Sequence, residues 1–498
     1  NMNGIFTITS PAVVHINGTM NVSSTTGAYT SSITTLFFNA GSFYNHNRAA
    51  GVVPTAAWNA TSTCTITGAT TAAPTGISGQ SFGNFTWNCA GQTGTISLTQ
   101  TLTTVNGNLS ITNSNNQILA LGSTAALTIN VLGDLNVSGT SILNLNSGAF
   151  TTTFNLSGNY NQTAGTVTSS ATNQIFNFAG TNPTRTYTQS GGTLTNTSFT
   201  YNINAGAFVT LNNGIVVPAA KVFTVNGALY CGTNLLTGTG TFTLANASTA
   251  TISSGDANGL VLVAGGAIGN IRTSTRNYGA AANYIYNGSA AQTTGTGFIS
   301  GTNLTINNSN GVTLTSSATV TGILTLQSGI LSLGAGANNL SLTNTSNAAL
   351  AGTYSASTMI ITPGTGSIIK SFAAGTTPTL TFPIGDNTGT VEYTPLYFGL
   401  LSNSAAGTLS IRLVNAVHPN NGAAADYLSR YFVFGTTLST YTYTLAHDFA
   451  DPADVTGSTA NMQLSRWNGT TWTPYNTTFS GSTATVSATL TNTTAPLA

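Results

Sequence analysis

The sequence predicts an all-β protein in which a right-handed parallel β-helix is followed by an antiparallel β-sandwich. Three observations lead to this prediction. Apolar residues alternate with polar ones, short segments recur at a nearly constant spacing, and only 9 basic and 8 acidic residues occur among 498. Thr, Val, Ile, Asn and Gly dominate the chain, and these residues disfavour helices.

Short strands account for the alternation. Residues 126–131, 207–211 and 241–244 each carry an apolar side chain at every second position, and each segment lies close to Gly, Asn or Ser. This pattern is typical of strands separated by tight turns.

Internal repeats in the sequence indicate how the strands are arranged. An apolar-x-Gly-x-apolar unit recurs at residues 16–20, 105–109, 131–135, 156–160, 225–229 and 320–324. Gly107, Gly133 and Gly158 follow one another at almost equal intervals, and residues 160–167 match residues 187–194 at a similar offset. The period is about 25 residues and consists of short strands, which predicts stacked coils of about three strands each.

Stacked coils also explain the scarcity of charge. Equivalent side chains of successive coils lie roughly 4.8 Å apart. Like charges would repel at every step of such a stack, whereas Thr, Ser and Asn can form ladders across it.

The composition changes near residue 365, which divides the chain into a β-helix at 1–365 and a β-sandwich at 366–498. The first part carries seven formal charges and the second carries ten. Residues 393–400, 408–414 and 441–445 read as longer, aromatic-rich strands. Asn468-Gly469 between two tryptophans predicts a hairpin with a type I′ turn.

Several phrases resemble the large repetitive surface proteins of Bacteroidetes that the type IX secretion system exports. The phrases are TFPIGD at 381–386, VNAVHPN at 414–420, ADYLSRY at 425–431, LSRWNG at 464–469, WNATSTC at 58–64 and FTWNC at 85–89. The resemblance implies an extracellular or cell-surface location. Such proteins usually end in a sorting domain, and residues 494–498 do not look like one, so we expect a processed product.

Composition argues against most other classes of function. No continuous apolar run is long enough to cross a membrane, so we expect no membrane span. The net charge of +1 argues against nucleic-acid partners. Two aspartates and no glutamate before the predicted boundary argue against an enzyme such as a polysaccharide lyase, and we expect no cofactor.

Two small sites are candidates. Asp448, Asp451 and Asp454 offer hard oxygen ligands for Ca²⁺, although a plain acidic loop fits their spacing as well. The separation between Cys64 and Cys89 equals one coil of the repeat. If they stack, their Cα atoms lie roughly 5 Å apart, within reach of a disulfide, and two free thiols are the alternative.

The first coil suggests an assembly edge. Candidate residues for it are Ile5, Phe6, Thr7, Ile8, Val13, Val14 and Ile16. These segments already read as full strands, so we expect them either to follow further chain or to receive a strand of another molecule. The resulting hypothesis is a non-catalytic extracellular protein that forms a fibre or surface stalk, with further copies of itself as partners.

Two alternative functions would use outward-facing side chains instead of strand edges. An adhesin would present Thr, Asn and Tyr ladders or sandwich loops to a glycan or another surface. An ice-binding protein would use flat Thr-x-Thr rows, but the Thr-x-Thr pairs do not recur in phase with the coil of about 25 residues.

Overall fold

A computed structural model of the protein describes residues 5–24, 29–181, 184–422, 424–487 and 489–492, so the terminal segment 494–498 lies outside the described residues. The described residues form strands and three 3₁₀ turns, Val263–Gly265, Asn347–Ala349 and Thr459–Asn461. Within the described ranges, no helix is long and apolar enough to cross a membrane. The chain forms two compact units, which are residues 1–245 with 249–251 and 271–277, and residues 246–248 and 252–270 with 278–498.

The strands of the first unit are short and follow one another closely. They are β1 (Phe6–Thr7), β2 (Val14–Ile16), β3 (Thr19–Val22), β4 (Tyr29–Thr30), β5 (Leu36–Phe38), β6 (Phe43–His46), β7 (Ala57–Trp58), β8 (Thr63–Ile66), β9 (Ser81–Phe82), β10 (Asn84–Asn88), β11 (Ile96–Ser97), β12 (Thr104–Val105), β13 (Leu109–Gly122), β14 (Leu127–Val131), β15 (Leu135–Asn146), β16 (Thr152–Leu156), β17 (Tyr160–Gln162), β18 (Thr166–Thr168), β19 (Gln174–Phe178), β20 (Arg185–Gln189), β21 (Thr193–Leu194), β22 (Phe199–Ile203), β23 (Phe208–Leu211), β24 (Ile215–Val216), β25 (Val222–Val225), β26 (Ala228–Tyr230) and β27 (Leu236–Leu244).

The remaining strands are β28 (Thr251–Ser254), β29 (Ile271–Asn277), which belongs to the first unit, β30 (Asn283–Tyr286), β31 (Gln292–Thr293), β32 (Ser300–Gly301), β33 (Leu304–Asn307), β34 (Val312–Thr313), β35 (Ala318–Val320), β36 (Leu324–Ser328), β37 (Leu331–Ser332), β38 (Leu340–Leu342), β39 (Leu350–Gly352), β40 (Ile360–Ile361), β41 (Ile368–Phe372), β42 (Thr377–Phe382), β43 (Ile384–Asp386), β44 (Glu392–Tyr393), β45 (Leu396–Asn403), β46 (Gly407–Val414), β47 (Tyr427–Leu428), β48 (Tyr431–Thr436), β49 (Tyr441–Asp448), β50 (Val455–Thr456), β51 (Ser465–Trp467), β52 (Trp472–Pro474), β53 (Thr477–Ser480), β54 (Thr483–Val486) and β55 (Leu490–Asn492). Among them, β45, β46 and β49 have eight residues each.

The predicted fold class is confirmed. The chain forms a parallel β-solenoid of about 16 turns with about 24 residues per coil, followed by antiparallel sheets. In the first unit, one parallel sheet runs from β3 through β6, β8, β10, β13, β15, β17, β20 and β23 to β26. A second sheet has the order β24, β27, β25, β22, β19, β16, β14, β12, β9, with β29 also paired to β27.

The glycine repeat marks places where neighbouring coils approach each other closely. The Gly133 N–H donates to the Gly107 carbonyl at 2.9 Å. A Cβ on Gly158 would lie 2.1 Å from the Gly133 oxygen, so no larger residue fits there without moving the backbone. The repeat therefore predicted true coil-to-coil contacts.

The residue after each of these glycines joins one coil to the next. The side-chain oxygen of Asn108 accepts the Asp134 backbone N–H at 2.8 Å, and the Asp134 carboxylate accepts the Asn159 N–H at 2.7 Å. The Asn159 amide oxygen then accepts the Thr186 N–H at 2.9 Å. Each acceptor satisfies a backbone donor of the following coil, which explains why Asn or Asp recurs at this position.

Aromatic columns fill the interior of the first unit. Tyr160 and Tyr187 are register partners, as their offset in the sequence predicted, and their ring centroids lie 4.8 Å apart at 16°. Phe154 stacks on Phe176 in the same way, at 5.1 Å and 10°. Offset stacking of this kind adds to the stabilisation that comes from burial.

In the second unit, parallel pairing gives way to antiparallel pairing within one sheet. The sheet runs β32, β35, β38, β41, β46, β48, and its pairing turns antiparallel between β41 and β46. A second antiparallel sheet has the order β42, β45, β49, β54, β53 and faces the first, since Phe372 and Phe398 contact each other at 5.7 Å. The last parallel pairing joins β40 to β43, and the division at residue 365 stays a prediction.

The hairpin around Asn468-Gly469 is confirmed, but its predicted turn is wrong. Strands β51 and β52 pair antiparallel with Trp467 opposite Trp472, so four residues form the loop instead of two. The Asn468 side chain accepts the backbone N–H groups of Thr470 and Thr471, at 3.0 and 2.8 Å. These hydrogen bonds stabilise the wider turn.

The first unit should lose stability in acid because of His46. This residue is fully buried, with Nδ1 2.9 Å from the Tyr44 hydroxyl and Nε2 3.2 Å from the Ala50 carbonyl. Burial, reinforced by the charge of Arg48, lowers the pKa of His46 to about 4. As the pH falls from about 6.5 toward 4, the unfolded chain binds a proton that the folded chain does not.

We therefore expect roughly 2 to 3 kcal/mol of stability, present above pH 6.5, to be lost by pH 4.5 through this residue. Urea unfolding at both pH values measures it. His46→Gln should flatten the pH dependence relative to the parent protein, whereas His15→Gln, at an exposed position, should leave it unchanged. An equally steep dependence in His46→Gln would contradict the assignment.

Candidate functional site

A cleft of about 520 Å³ lies between the two antiparallel sheets of the second unit. We call it the C-terminal cleft. Its inner wall is apolar and comes from both sheets. This wall includes the buried residues Leu396, Tyr443 and Val486 and the half-buried residues Phe432, Phe434 and Leu445. Sandwich interiors are normally filled at high density, so an opening of this size between two sheets is a place where a further group can bind.

Strand β48 forms one side of the cleft and is an unprotected edge. It pairs with β46 and is the last strand of its sheet in the described residues. All six of its residues are half-buried, whereas β46 alternates between buried and half-buried positions. Its sequence, Tyr431-Phe-Val-Phe-Gly-Thr436, contains no charge and no proline. Natural edge strands usually carry charged residues or proline, because these residues prevent pairing with other chains.

Four aromatic side chains form the rim of the cleft. His418 contacts Trp472 and Tyr431 edge to face, at 4.7 and 4.8 Å between ring centroids, and Trp467 contacts Trp472 at 5.3 Å. The Trp472 Nε1–H donates to the Asn420 carbonyl at 2.9 Å, and 38% of Trp472 is exposed. We call these four aromatic residues, His418, Tyr431, Trp467 and Trp472, the aromatic rim.

His418 is a hydrogen-bonding member of this rim. Its Nδ1 accepts the Asn420 backbone N–H at 3.1 Å. Burial lowers the pKa of His418, so the ring is neutral near pH 7 and carries its hydrogen on Nε2. Asn421, Asp426 and Gln463 also line the cleft beside the rim. The rim thus combines aromatic faces with polar groups.

A buried ion cluster supports the cleft from behind. The guanidinium of Arg430 is fully buried and forms short ion pairs with Glu392 and Asp454, and a longer one of 3.7 Å with Asp386. Its Nη1 also donates to the Thr394 hydroxyl. The cluster joins the ends of β43 and β44 to the residues that precede β48 and β50.

Three carboxylates surround one guanidinium, so the cluster contains an excess of negative charge. Burial and the nearby charge of Asp454 raise the pKa of Glu392, although Arg430 opposes this shift. Asp386 accepts hydrogen bonds from the Thr388 N–H at 2.9 Å and from the Asn415 amide at 2.8 Å. These partners fit a structural clamp that fixes the start of β48.

Four of the predicted assembly-edge residues lie on strands with one neighbour each among the described residues, and Ile5, Ile8 and Val13 lie just outside these strands. Phe6 and Thr7 form β1, which pairs with β4, and Val14 and Ile16 belong to β2, which pairs with β5. Ile8 is buried, but Ile5 is 77% exposed and Val13 is 50% exposed. This geometry agrees with an edge, and its use for assembly stays a prediction.

The calcium candidate is wrong. The Asp448 carboxylate accepts hydrogen bonds from Tyr397 at 2.9 Å and from Thr483 at 2.6 Å, whereas Asp454 pairs with Arg430. Asp451 is exposed. The described ranges contain no group of three His, Cys, Asp or Glu side chains that could hold a metal ion. Closeness in sequence did not place these carboxylates around one point.

The disulfide candidate is also wrong, because the local coil is shorter than the average. The register partner of Cys64 on the next coil is Phe85, and Cys89 lies four positions farther along the chain. Such a distance along a strand is roughly 13 Å, beyond the reach of a disulfide. The Cys89 thiol instead donates to the Ile66 carbonyl at 3.3 Å. Cys64, Cys89 and Cys231 are free and buried, and burial raises the pKa of all three thiols.

Sequence reasoning missed the cleft. The lack of charge in residues 431–434 is visible in the sequence. The position of β48 at a sheet edge is not visible in the sequence, because it depends on which strands pair. Asp454 and Glu392, the partners of Arg430, are distant from it in the sequence, and no local motif connects them.

Comparisons with protein-family models, with curated proteins and with solved structures gave no match. The resemblance to exported Bacteroidetes surface proteins therefore stays a prediction that rests on the quoted phrases.

Loss of the Arg430 charge should destabilise the second unit strongly. In Arg430→Met, three carboxylates would remain close together without their cation, and we expect a loss of about 3 to 5 kcal/mol. Urea unfolding followed by tryptophan fluorescence measures this loss, with Trp467 and Trp472 reporting on the second unit and Trp58 and Trp87 on the first. Arg412→Met, at a half-exposed position of β46, is the matched control and should cost far less. Equal losses in the two variants would rule out a special role for the cluster.

Proposed function

We propose that this chain is a non-catalytic extracellular structural protein that associates with further copies of itself through strand edges, as a fibre subunit or a surface stalk. The observation that carries the proposal is β48, an aromatic and uncharged edge strand beside an unfilled cleft. Such an edge offers main-chain hydrogen bonds to an added strand, and the cleft offers space for its side chains.

A second copy suits this edge because of its composition. The strands of the solenoid alternate apolar side chains with Thr, Ser and Asn, and they carry few charges. A strand of this kind would place apolar residues toward the inner wall of the cleft and polar residues toward solvent. The strands of the first coil, β1 and β2, offer further edges of the same composition.

The chemistry near the cleft supports a non-catalytic role. The ionisable groups of the Arg430 cluster and Asp448 hold the fold together through ion pairs and hydrogen bonds. The extracellular location and a type IX export route are part of the proposal. They are supported by the uncharged composition and by the quoted phrases.

A charge on β48 tests the assembly. We expect the parent protein to form filaments or higher oligomers at high concentration, as seen by negative-stain electron microscopy and light scattering. Val433→Lys should leave monomers, because an ammonium group at an open edge opposes strand addition.

Leu401→Lys is the matched control. Leu401 is 43% exposed on β45, which already has neighbours on both sides, so this variant should assemble like the parent. A parent protein that stays monomeric at high concentration would overturn the proposal.

A second candidate function, glycan binding by an adhesin, is favoured by the aromatic rim. Exposed tryptophan faces next to Asn421, Asp426 and Gln463 combine stacking surfaces with hydrogen-bonding groups. Sugar rings bind through this combination, because their C–H faces stack on aromatic rings while their hydroxyls need polar partners.

The rim also gives a test. If it binds glycans, Trp472→Ala should remove the signals that the parent protein gives on a glycan array or in pull-downs with insoluble polysaccharides. Phe150→Ala, at a 42% exposed aromatic position of the first unit, should keep them. Blank arrays with the parent protein would refute this candidate.

A further inference from the structure

The second parallel sheet of the first unit presents two regular rows of small side chains on its outward face. One row is Asn130, Asn155, Asn177, Asn202, Thr224 and Thr243. The other lies two positions earlier on the same strands and is Thr128, Thr153, Ile175, Thr200, Val222 and Thr241. Every member of both rows is exposed or half-exposed, and the residues between the rows are buried.

The rows are held in a constant register. The pairings from β14 through β16, β19, β22 and β25 to β27 proceed without a bulge. Within the first row, the Asn155 amide donates to Asn130 at 2.8 Å, Asn177 to Asn155 at 2.7 Å, and Asn202 to Asn177 at 2.9 Å. The face is therefore a two-dimensional array with steps of roughly 4.8 Å between strands and roughly 6.6 Å along them.

This register shows a regularity that a search for Thr-x-Thr pairs does not find. In the array only Thr241 and Thr243 form a Thr-x-Thr pair, and the other strands carry Asn or another β-branched residue at one of the two positions. The actual coils differ in length, since the step from Thr153 to its partner Ile175 is shorter than the step from Ile175 to its partner Thr200. With the true pairing, a β-branched residue and an Asn or Thr two positions later recur on six successive strands.

The chemistry of the array restricts what it can bind. It offers hydroxyls, amides and methyl groups, without a charged or aromatic side chain. Ionised groups hold their own hydration shells, which would disturb ordered water, and none is present in the two rows. Sugar stacking requires aromatic faces, and the rows also lack these.

Its size argues against a protein partner. Six strands at this spacing and two side-chain rows cover about 300 Å², well below the roughly 800 Å² per partner of a stable interface. A partner that is itself a periodic, uncharged lattice can use so narrow a face, because every step of the array repeats the same contact.

We propose that this face binds ice. Threonine hydroxyls and asparagine amides hydrogen-bond the lattice oxygens at regular intervals, and the intervening methyl groups of Thr, Val and Ile contact the water between them.

The outward face of the other long sheet differs at the corresponding place. Its row Asn21, Asn45, Thr65, Thr86 and Ser110 is also regular. The neighbouring row on the same sheet contains the exposed ring of Phe43, so this second row is not uniform. This sheet supplies a matched control surface.

Thermal hysteresis and partition into slowly growing ice test the proposal with the complete chain. We expect the parent protein to show both. The double variant Thr153→Lys with Thr200→Lys should lose both, and Thr65→Lys with Ser110→Lys on the other sheet should retain them. Far-ultraviolet circular dichroism checks that both double variants remain folded.

Three outcomes overturn the proposal. The first is a parent protein that neither shapes nor enters ice. The second is an equal loss of ice binding in the two folded double variants. The third is binding of the parent protein to insoluble cellulose or chitin, reversed by Thr153→Lys with Thr200→Lys, in the absence of ice binding.

Discussion

The stacking of equivalent backbone positions from coil to coil is the constraint on which the rest of the solenoid depends. Every coil must bring its N–H and C=O groups opposite those of the coil before it, because buried backbone groups without partners are costly. Gly133 and Gly158 permit a close approach of neighbouring coils, and Asn108 and Asp134 supply acceptors where the backbone ladder needs one. The glycine and the acceptor that follows it thus serve one requirement, and they recur together for that reason.

The same constraint governs which side chains are tolerated. Inside the stack, residues of similar shape fall in line, as Tyr160 and Tyr187 do, each with its hydroxyl donating to the glutamine two positions later. A single carboxylate can join a ladder when it acts as an acceptor between two asparagines, as Asp134 does. A ladder therefore excludes charged residues at successive equivalent positions, but it tolerates one charged residue. The surface positions are left to Thr, Asn and Ser, whose side chains can bond to copies of themselves.

The parts of the structure that the sequence predicted well are those set by this repetition. The offset between Tyr160 and Tyr187 and the spacing of the glycines reveal the coil directly, since each depends on contact with the neighbouring repeat. Predictions that needed the length of one particular coil did not hold. Cys64 meets Phe85 and not Cys89 because that coil is shorter than the average, and the Thr and Asn rows emerge only when each coil is given its own length. The cleft could not be predicted from the sequence for another reason. Arg430 and its carboxylate partners are far apart in the sequence, and antiparallel strand pairing brings them together.

The proposals of self-association and of ice binding both concern hydrogen-bonding groups that the stacking of coils leaves without a partner strand. Within a sheet, each strand satisfies its neighbours, so spare hydrogen bonds remain only at the edges and on the outward faces. At the edge, β48 offers backbone groups beside an apolar cleft, which suits a partner that is a strand. On the face, the rows that include Asn155 and Thr153 offer side chains at fixed intervals, which suits a partner that is a lattice. The two surfaces differ in the chemistry that they present, so the two proposals assign two different kinds of partner to a protein with almost no ionised residues.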